Sequence, residues 1–535
     1  MPTTGGKGLK PYDGEWGQTQ ILHLLRRSLF GVSGPDYEFF STLTLFESLD
    51  VLLKHSPVPD PPVNLYNDNV FSDPDIPFGH TWVHATVDES DGAIADFRRS
   101  ASMKAWWVGL MLDQERSLTE KMTLFWSNNL ATQGNIVKEA RYSYRYVSLL
   151  RTHALGNFKA LTRKIVTEPA MLLYLNGSSN TASAPNENFS RELQELFTVG
   201  KGPNSHYTQA DVETAARVLT GWNVTGAIDP KGTFIPANHD PTDKQFSSFY
   251  NNTIIKGQPG INGALETDQL IDMIFDQRET AINFCRKLYR WFVYYVIDIG
   301  IEENVINPLA DILISNDFNV SPVLRVLLGS EHFFDSRNIG CQIKNPIDML
   351  IGACRQFQVI LPTAADPVSR YQICTSLVSH LKDLGMEPQE PLTVAGWPAY
   401  YQHPSYYEFW INSNSLPIRN YITDTIVSQS GLQMTSTFAL RLDLLAYTSR
   451  LSDPANLHKF ILESIAMLLS NHLGPMEIDY LKTILLSGQT NEKYWSKAWG
   501  EYIKDGAGPQ QISIVGNRLI RYYSYVLQRV EYQLM

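Results

Sequence analysis

The sequence predicts an all-α protein: a large multi-helical globular fold with long irregular loops and a small β-hairpin-bearing insertion. Three observations carry that expectation. Apolar residues recur at three- and four-residue spacing in segment after segment. Ser, Thr and Asp stand where several of those segments begin. Strand signals gather mainly in one Gly-, Pro- and Asn-rich stretch, 225–262.

The first helix is expected over 18–29, with Leu22, Leu25 and Leu29 inward and His23, Arg26 and Arg27 beside them. Ser33-x-x-Asp36 resembles a cap before a helix over 37–53. Residues 56–93 are rich in Pro, Asp and Asn, and their tryptophan and phenylalanines point to an ordered loop. Helical spacing returns over 94–112. Ser117-Leu-Thr-Glu120 then has the pattern of a capping box for the helix of Lys121, Met122, Phe125 and Trp126.

Helices follow over 138–150 and 157–167, the latter ended by Glu168-Pro169, because proline disfavours helical geometry in the residue before it. A short turn at 171–175 and a Gly/Ser/Ala/Asn loop lead to a helix over 186–200, closed by Gly200. Thr208-x-x-Asp211 caps the next, whose face is Val212, Ala215, Ala216, Leu219 and Trp222. After the insertion, helices are expected over 267–275, 281–296, 304–315, 321–328, 345–357 and 368–384. A further irregular stretch, 385–417, holds two tryptophans and five prolines. The last third reads as helices over 419–429, 435–447, 456–469, 476–486, 492–504 and 511–528. No repeat of fixed period is visible and no composition shift marks a boundary. One domain over 1–535 is expected, interrupted at 56–93, 225–262 and 385–417.

Composition narrows the function classes. With 535 residues, 43% hydrophobic and 19% charged, the chain is of globular type and long enough to bury most of its unfolded surface. Its 44 basic and 55 acidic residues give a net charge of −11, and the basic ones are scattered, which argues against nucleic acid as a partner. Cys285, Cys341, Cys354 and Cys374 form no Cys-x-x-Cys pair and read as buried thiols. The N-terminus has no apolar signal-peptide core, and no run of about 18 apolar residues follows, so neither a signal peptide nor a membrane span is expected.

The densest chemistry lies in 186–200. On a helical projection Phe189, Leu193, Leu196 and Phe197 form the apolar stripe. Asn188, Glu192 and Glu195 flank it, and Arg191 stands one turn from both Glu187 and Glu195. Three readings follow. Glu187, Glu192 and Glu195, with His239, Asp240 and His153 from elsewhere, supply oxygen and imidazole donors suited to a divalent metal that activates water. Without metal, Glu192 near the stripe serves as proton donor, while Glu195 beside Arg191 stays ionised as base or nucleophile. The structural alternative is an ion-pair network in which Arg191, Arg26, Arg27 or Lys121 answers the buried carboxylates, with Asn186 or Asn188 at the helix start. His239-Asp240-Pro241 equally reads as an Asx-turn with His239 exposed. No phosphate loop, dinucleotide fingerprint or serine elbow is present.

A separate signal is aromatic. Trp397, Tyr400, Tyr401 and Trp410, with Tyr406 and Tyr407, crowd a proline-rich stretch. Loop aromatics stack on sugar rings or anchor protein partners, and they also roof helical cores.

Several strings together are distinctive: His23-Leu-Leu-Arg-Arg27 with Phe30-Gly31; Glu120-Lys-Met-Thr-Leu-Phe-Trp126; His153-Ala-Leu-Gly-Asn157-Phe158; Asn186-Glu-Asn188 with Arg191-Glu-Leu and Glu195-Leu-Phe-Thr-Val-Gly200; Tyr207-Thr-x-x-Asp211; Thr220-Gly-Trp222; His239-Asp240 with Lys244; and Val394-Ala-Gly-Trp-Pro398. Through them nearly the whole chain resembles the bacterial family called domain of unknown function 1800. The resemblance implies a mostly helical protein, often exported or periplasmic and often encoded beside a sulfatase-like partner, with no established activity. Many relatives carry histidines after the Phe-Trp pair, where this chain has Ser127-Asn128-Asn129. The sequence therefore points first to a binding or assembly protein that recognises a glycan or a protein. A carboxylate-based hydrolase, with or without a divalent metal, is the alternative. No cofactor is required by the residues.

Overall fold

The computed structural model describes residues 8–86, 92–226, 229–363, 365–397, 408–504 and 506–535. The expected class holds: helices dominate, and the described strands form three two-stranded antiparallel hairpins. The hairpin of Lys244–Gln245 with Ile254–Ile255 lies in the expected insertion, while another pairs Lys231–Phe234 within it to Trp222–Thr225 at its edge, so Trp222 is a strand residue and the helix expected to carry it ends at Val218. No helix among the described residues is long and apolar enough to cross a membrane.

Local capping chemistry sets many helix starts. Ser33 and Asp36 form a reciprocal capping box on Gly34–Ser41, and Thr208 and Asp211 do so on Gln209–Val218. The helix expected over 37–53 is two helices, Gly34–Ser41 and Leu45–Leu52. A second box, Thr44 with Glu47, opens the latter. The box expected from Ser117 and Glu120 does not form. Ser117 Oγ accepts from the Thr119 amide and donates to the Lys54 carbonyl, while Glu120 turns inward to Arg151 at 2.6 Å. The helix expected over 435–447 is instead the hairpin Leu432–Gln433/Ala439–Leu440 followed by Leu444–Ser449. Its start is fixed by Asp443, whose carboxylate accepts from the Ala446 amide.

Buried apolar side chains from Ile21 to Tyr532 form one contiguous cluster. Its aromatic centre stacks Trp126 on Phe284 at 5.4 Å and Phe158 on Phe284 at 4.6 Å, which places the Phe-Trp string in the core. Ser127 and Asn128, which follow that pair, are also buried. Asn128 Oδ1 accepts from the Trp397 amide at 2.8 Å, and Gly396, at φ +98°, packs where any Cβ would strike Asn128.

Basic side chains near the N-terminus tie distant parts of the chain together. Arg26 donates to the carbonyls of Ala466 and Met467, and Arg27 to Asn338, while His23 Nε2 lies 3.1 Å from the Phe333 carbonyl. Lys121 is buried in an ion pair with Asp348. Burial, with Arg27 adding to it, holds the His23 imidazole well below its usual range. Arg26, Arg27 and Lys121 are thus engaged elsewhere, and of the cations that the ion-pair reading names it is Arg191 that meets carboxylates of 186–200.

Candidate functional site

The segment singled out by the sequence is not one regular helix. Asn188–Glu192 is α-helical, and Leu193–Phe197 widens into a π-helical turn. Such turns are uncommon and concentrate at functional sites. The stripe still falls as projected, with Phe189, Leu193, Leu196 and Phe197 buried.

Polar contacts account for the widened turn. Thr198 Oγ1 donates to the Leu193 carbonyl, Lys287 Nζ to the Leu196 carbonyl, and the Gly200 amide to the Gln194 carbonyl at 2.8 Å. Gln194, fully buried, accepts from Tyr250 Oη at 2.7 Å and donates to the Ser190 carbonyl. Gly200 is needed at the exit: its φ is +82°, and a Cβ there would meet Asn283 at 2.6 Å. Asn283 itself donates to the Thr198 carbonyl at 2.7 Å.

The charges form a ladder on the outer side. Arg191 reaches Glu187 at 3.0 Å and Glu195 at 3.5 Å, and Lys201 holds Glu195 at 2.7 Å. Gln209 joins it, donating to Glu187 at 2.6 Å and accepting from Arg191 at 2.9 Å. The cation that completes the Glu195 pairing is Lys201, six residues further along the chain. Beside the ladder opens a hollow of about 280 Å³, walled by Arg191, Glu195, Lys201 and Gln209 and by the hydroxyl-bearing Ser205, Tyr207 and Thr208. Tyr207 is half-buried, with its ring edge to Phe249 at 6.1 Å.

Glu192 stands apart. Among the described residues no hydrogen bond or ion pair holds its half-buried carboxyl. Burial pushes its pKa up and the neighbouring Glu195 carboxylate adds to this, against weaker pulls from Lys201 and Arg191. Tyr174 lies close enough to feel both Glu192 and Glu390. Burial first, then those two charges, push its hydroxyl up to about 12.

His239 and Asp240 are placed in a different set of contacts. His239 is buried, not exposed, with Nδ1 2.9 Å from the Thr220 carbonyl and Nε2 3.1 Å from Glu266 Oε1. Glu266 also pairs with the buried Lys244 and accepts from the Gln258 amide. Burial raises the Glu266 carboxyl, but His239, Lys244 and Gln258 more than offset it and hold it low. Asp240 makes the expected Asx-turn, accepting from the Thr242 amide at 2.9 Å, and pairs with Arg217 at 2.7 Å. These groups pin the hairpin insertion to helix Leu265–Phe275. The shell expected from Glu187, Glu192, Glu195, His239, Asp240 and His153 does not assemble. Among the described residues, no three His, Cys, Asp or Glu side chains gather as a metal site.

The remaining predicted residues are dispersed. Asn157 caps Phe158–Val166 through the Ala160 amide. His153 ends the helix Ala140–Thr152, its ring held below its usual range by burial and by Lys164. Asn186 Oδ1 accepts from the Asn188 amide, and Asn188 Nδ2 donates to the Leu175 carbonyl. Trp397 and Trp410 are core residues, 1% and 2% exposed, and offer no stacking face to solvent. Tyr400, Tyr401, Tyr406 and Tyr407 lie outside the described residues. Tyr207, Ser205 and Gln209 were not singled out by chemistry at the sequence level. Tyr207 entered there only through the Tyr207-Thr-x-x-Asp211 string, and Ser205 and Gln209 only as neighbours of the Thr208 cap.

A family model described as a protein of unknown function, DUF1800, matches residues 23–534. No curated protein and no solved structure matches the chain.

Proposed function

We propose that this chain, which belongs to the DUF1800 family, is a binding protein that takes a carbohydrate in the hollow beside the π-turn. The observation that carries the reading is the composition of that hollow. Its walls carry hydroxyls, an amide, a carboxylate, two cations and one tyrosine. A sugar presents this inverse set, with many hydroxyls that both donate and accept and an apolar ring face for an aromatic to cover. Because Arg191, Glu195 and Lys201 already hold one another, they are ordered before a ligand arrives, which lowers the entropy cost of binding.

Calorimetric titration with a panel of neutral and uronic-acid oligosaccharides tests the reading. Saturable binding to at least one, weakened tenfold or more by Tyr207→Ala or Gln209→Ala, is the expected result. No binding across the panel, or binding indifferent to both changes, overturns it.

One observation favours a second reading, hydrolysis by a carboxylate pair. Glu192 is pushed toward its protonated form and lacks a partner, whereas Glu195, three residues on, is held between two cations. Environments that separate two carboxyl groups in this way suit a proton donor beside an ionised base. On this reading the same oligosaccharides are cleaved, and Glu192→Gln removes the release of reducing ends while leaving affinity intact.

A further inference from the structure

A second cavity lies far along the chain from the π-turn at Leu193–Phe197 and plays no part in the function above. Its volume is about 960 Å³, at the upper end of the usual range for ligand sites. It opens between 357–360, 427–430, the hairpin residues 437–439, the chain of 441–446 that leads into helix Leu444–Ser449, and one face of helix Pro509–Gln528.

Three features of this cleft lack an explanation inside the protein. The first is apolar surface left open to water. The walls include buried Phe357, Val427 and Leu442, yet Ile360 at the mouth is 84% exposed and Ile512 is 41% exposed. The second is Gly516, in the interior of the helix and on the cleft wall. Glycine is disfavoured there relative to alanine, and usually marks a close approach by another group. A Cβ at Gly516 would meet nothing within 4 Å, so none of the described residues makes that approach.

The third is charge. Arg441 and Arg450 line the cleft, and among the described residues neither makes an ion pair, in a chain with eleven more acidic than basic residues. Arg441 has a 3.5 Å approach to the Gln429 carbonyl. The acid beside them, Asp443, spends its carboxylate on the start of helix Leu444–Ser449.

An apolar trough with a glycine-thinned wall and two unpaired guanidinium groups complements an aliphatic body that ends in an anion. We propose that this cleft binds a long-chain aliphatic carboxylate. The chain lies along Gly516, Ile512 and Ile360, and the carboxylate is held by Arg441 and Arg450.

Calorimetric titration of the full-length protein with dodecanoate, below its micellar concentration, is expected to give one saturable site. Dodecyltrimethylammonium has the same tail and the opposite charge, and is expected to bind at least tenfold more weakly. Arg441→Ala with Arg450→Ala is expected to weaken dodecanoate at least tenfold. Gly516→Leu, which fills the trough, is expected to abolish binding. Leucine there enters open space in a helix, so an unchanged or raised melting temperature is expected and separates loss of the site from loss of the fold. Equal affinity for the two amphiphiles, or undiminished dodecanoate binding in Gly516→Leu, overturns the proposal. So does a concentration-dependent dimer that Gly516→Leu dissolves, because the trough then belongs to a second copy.

Discussion

Glu168 shows how one side chain shapes the pH response. It precedes Pro169 and sits almost buried, with Arg145 3.6 Å away. Burial pushes its carboxyl from the ordinary 4.5 up to about 7, and Arg145 only partly opposes this. The folded state therefore binds this proton more tightly than the unfolded chain does. Its stabilising effect is complete below about pH 4.5 and is lost as pH rises to 7. A rise of this size corresponds to about 3 kcal/mol. Glu168→Gln is expected to remove that limb. Urea midpoints of the variant should match wild type near pH 4 and exceed it at pH 8, and an unchanged difference between the two pH values would refute the assignment. The sequence marked Glu168 only as the residue before a proline. It identified Glu192 as a charge in need of a partner because that conflict is local to one helix. The Glu266 and Lys244 that hold His239 were not legible as its partners. Nothing in the spacing says that a loop histidine and a carboxylate 27 residues later share a buried site.

The scale of the element explains which boundaries could be read. Starts governed by a side chain three residues from its own cap were legible at Ser33 and Thr208. The Thr44–Glu47 box carried the same signature and divides what apolar spacing alone joins. The π-turn was not legible, because the stripe of Phe189, Leu193, Leu196 and Phe197 fits a regular helix equally well. What decides the geometry is Lys287, Asn283 and Tyr250 bonding to 194, 196 and 198 from other elements. Gly200 is the chain's own contribution. Gly200→Ala places a Cβ against Asn283 in a left-handed conformation, and a loss of about 2 kcal/mol is expected. Urea denaturation measures it. A variant as stable as wild type would mean that the exit of the turn relaxes freely.

For the whole molecule, the fold class followed from periodicity, but the neighbourhood of each helix did not. The sequence grouped His23, Arg26, Arg27 and Lys121 with the charged segment of 186–200, since both are rich in polar residues beside apolar stripes. The structure assigns them to carbonyls and to Asp348 in another part of the core. We propose that the chain folds as one domain, because its buried side chains form a single cluster from Ile21 to Tyr532. Scanning calorimetry is then expected to show one transition, with calorimetric and van't Hoff enthalpies in agreement. Two resolved transitions would divide the cluster into independent units.

The helix Gln18–Ser28 also sets a timetable for synthesis. Its Arg26 bonds to Ala466, 440 residues later, and His23 meets Phe333 after 310. At translation speeds of about 5–20 residues per second, this helix waits roughly 20–90 s after its own emergence for the Ala466 carbonyl to follow. During that interval helix Gly34–Ser41 can already pack on the side of Ile21, Leu22, Leu24 and Leu25, all buried in the finished protein, but Arg26 lacks the carbonyls that receive it. Truncations before residue 466 should be the ones that aggregate through their N-termini.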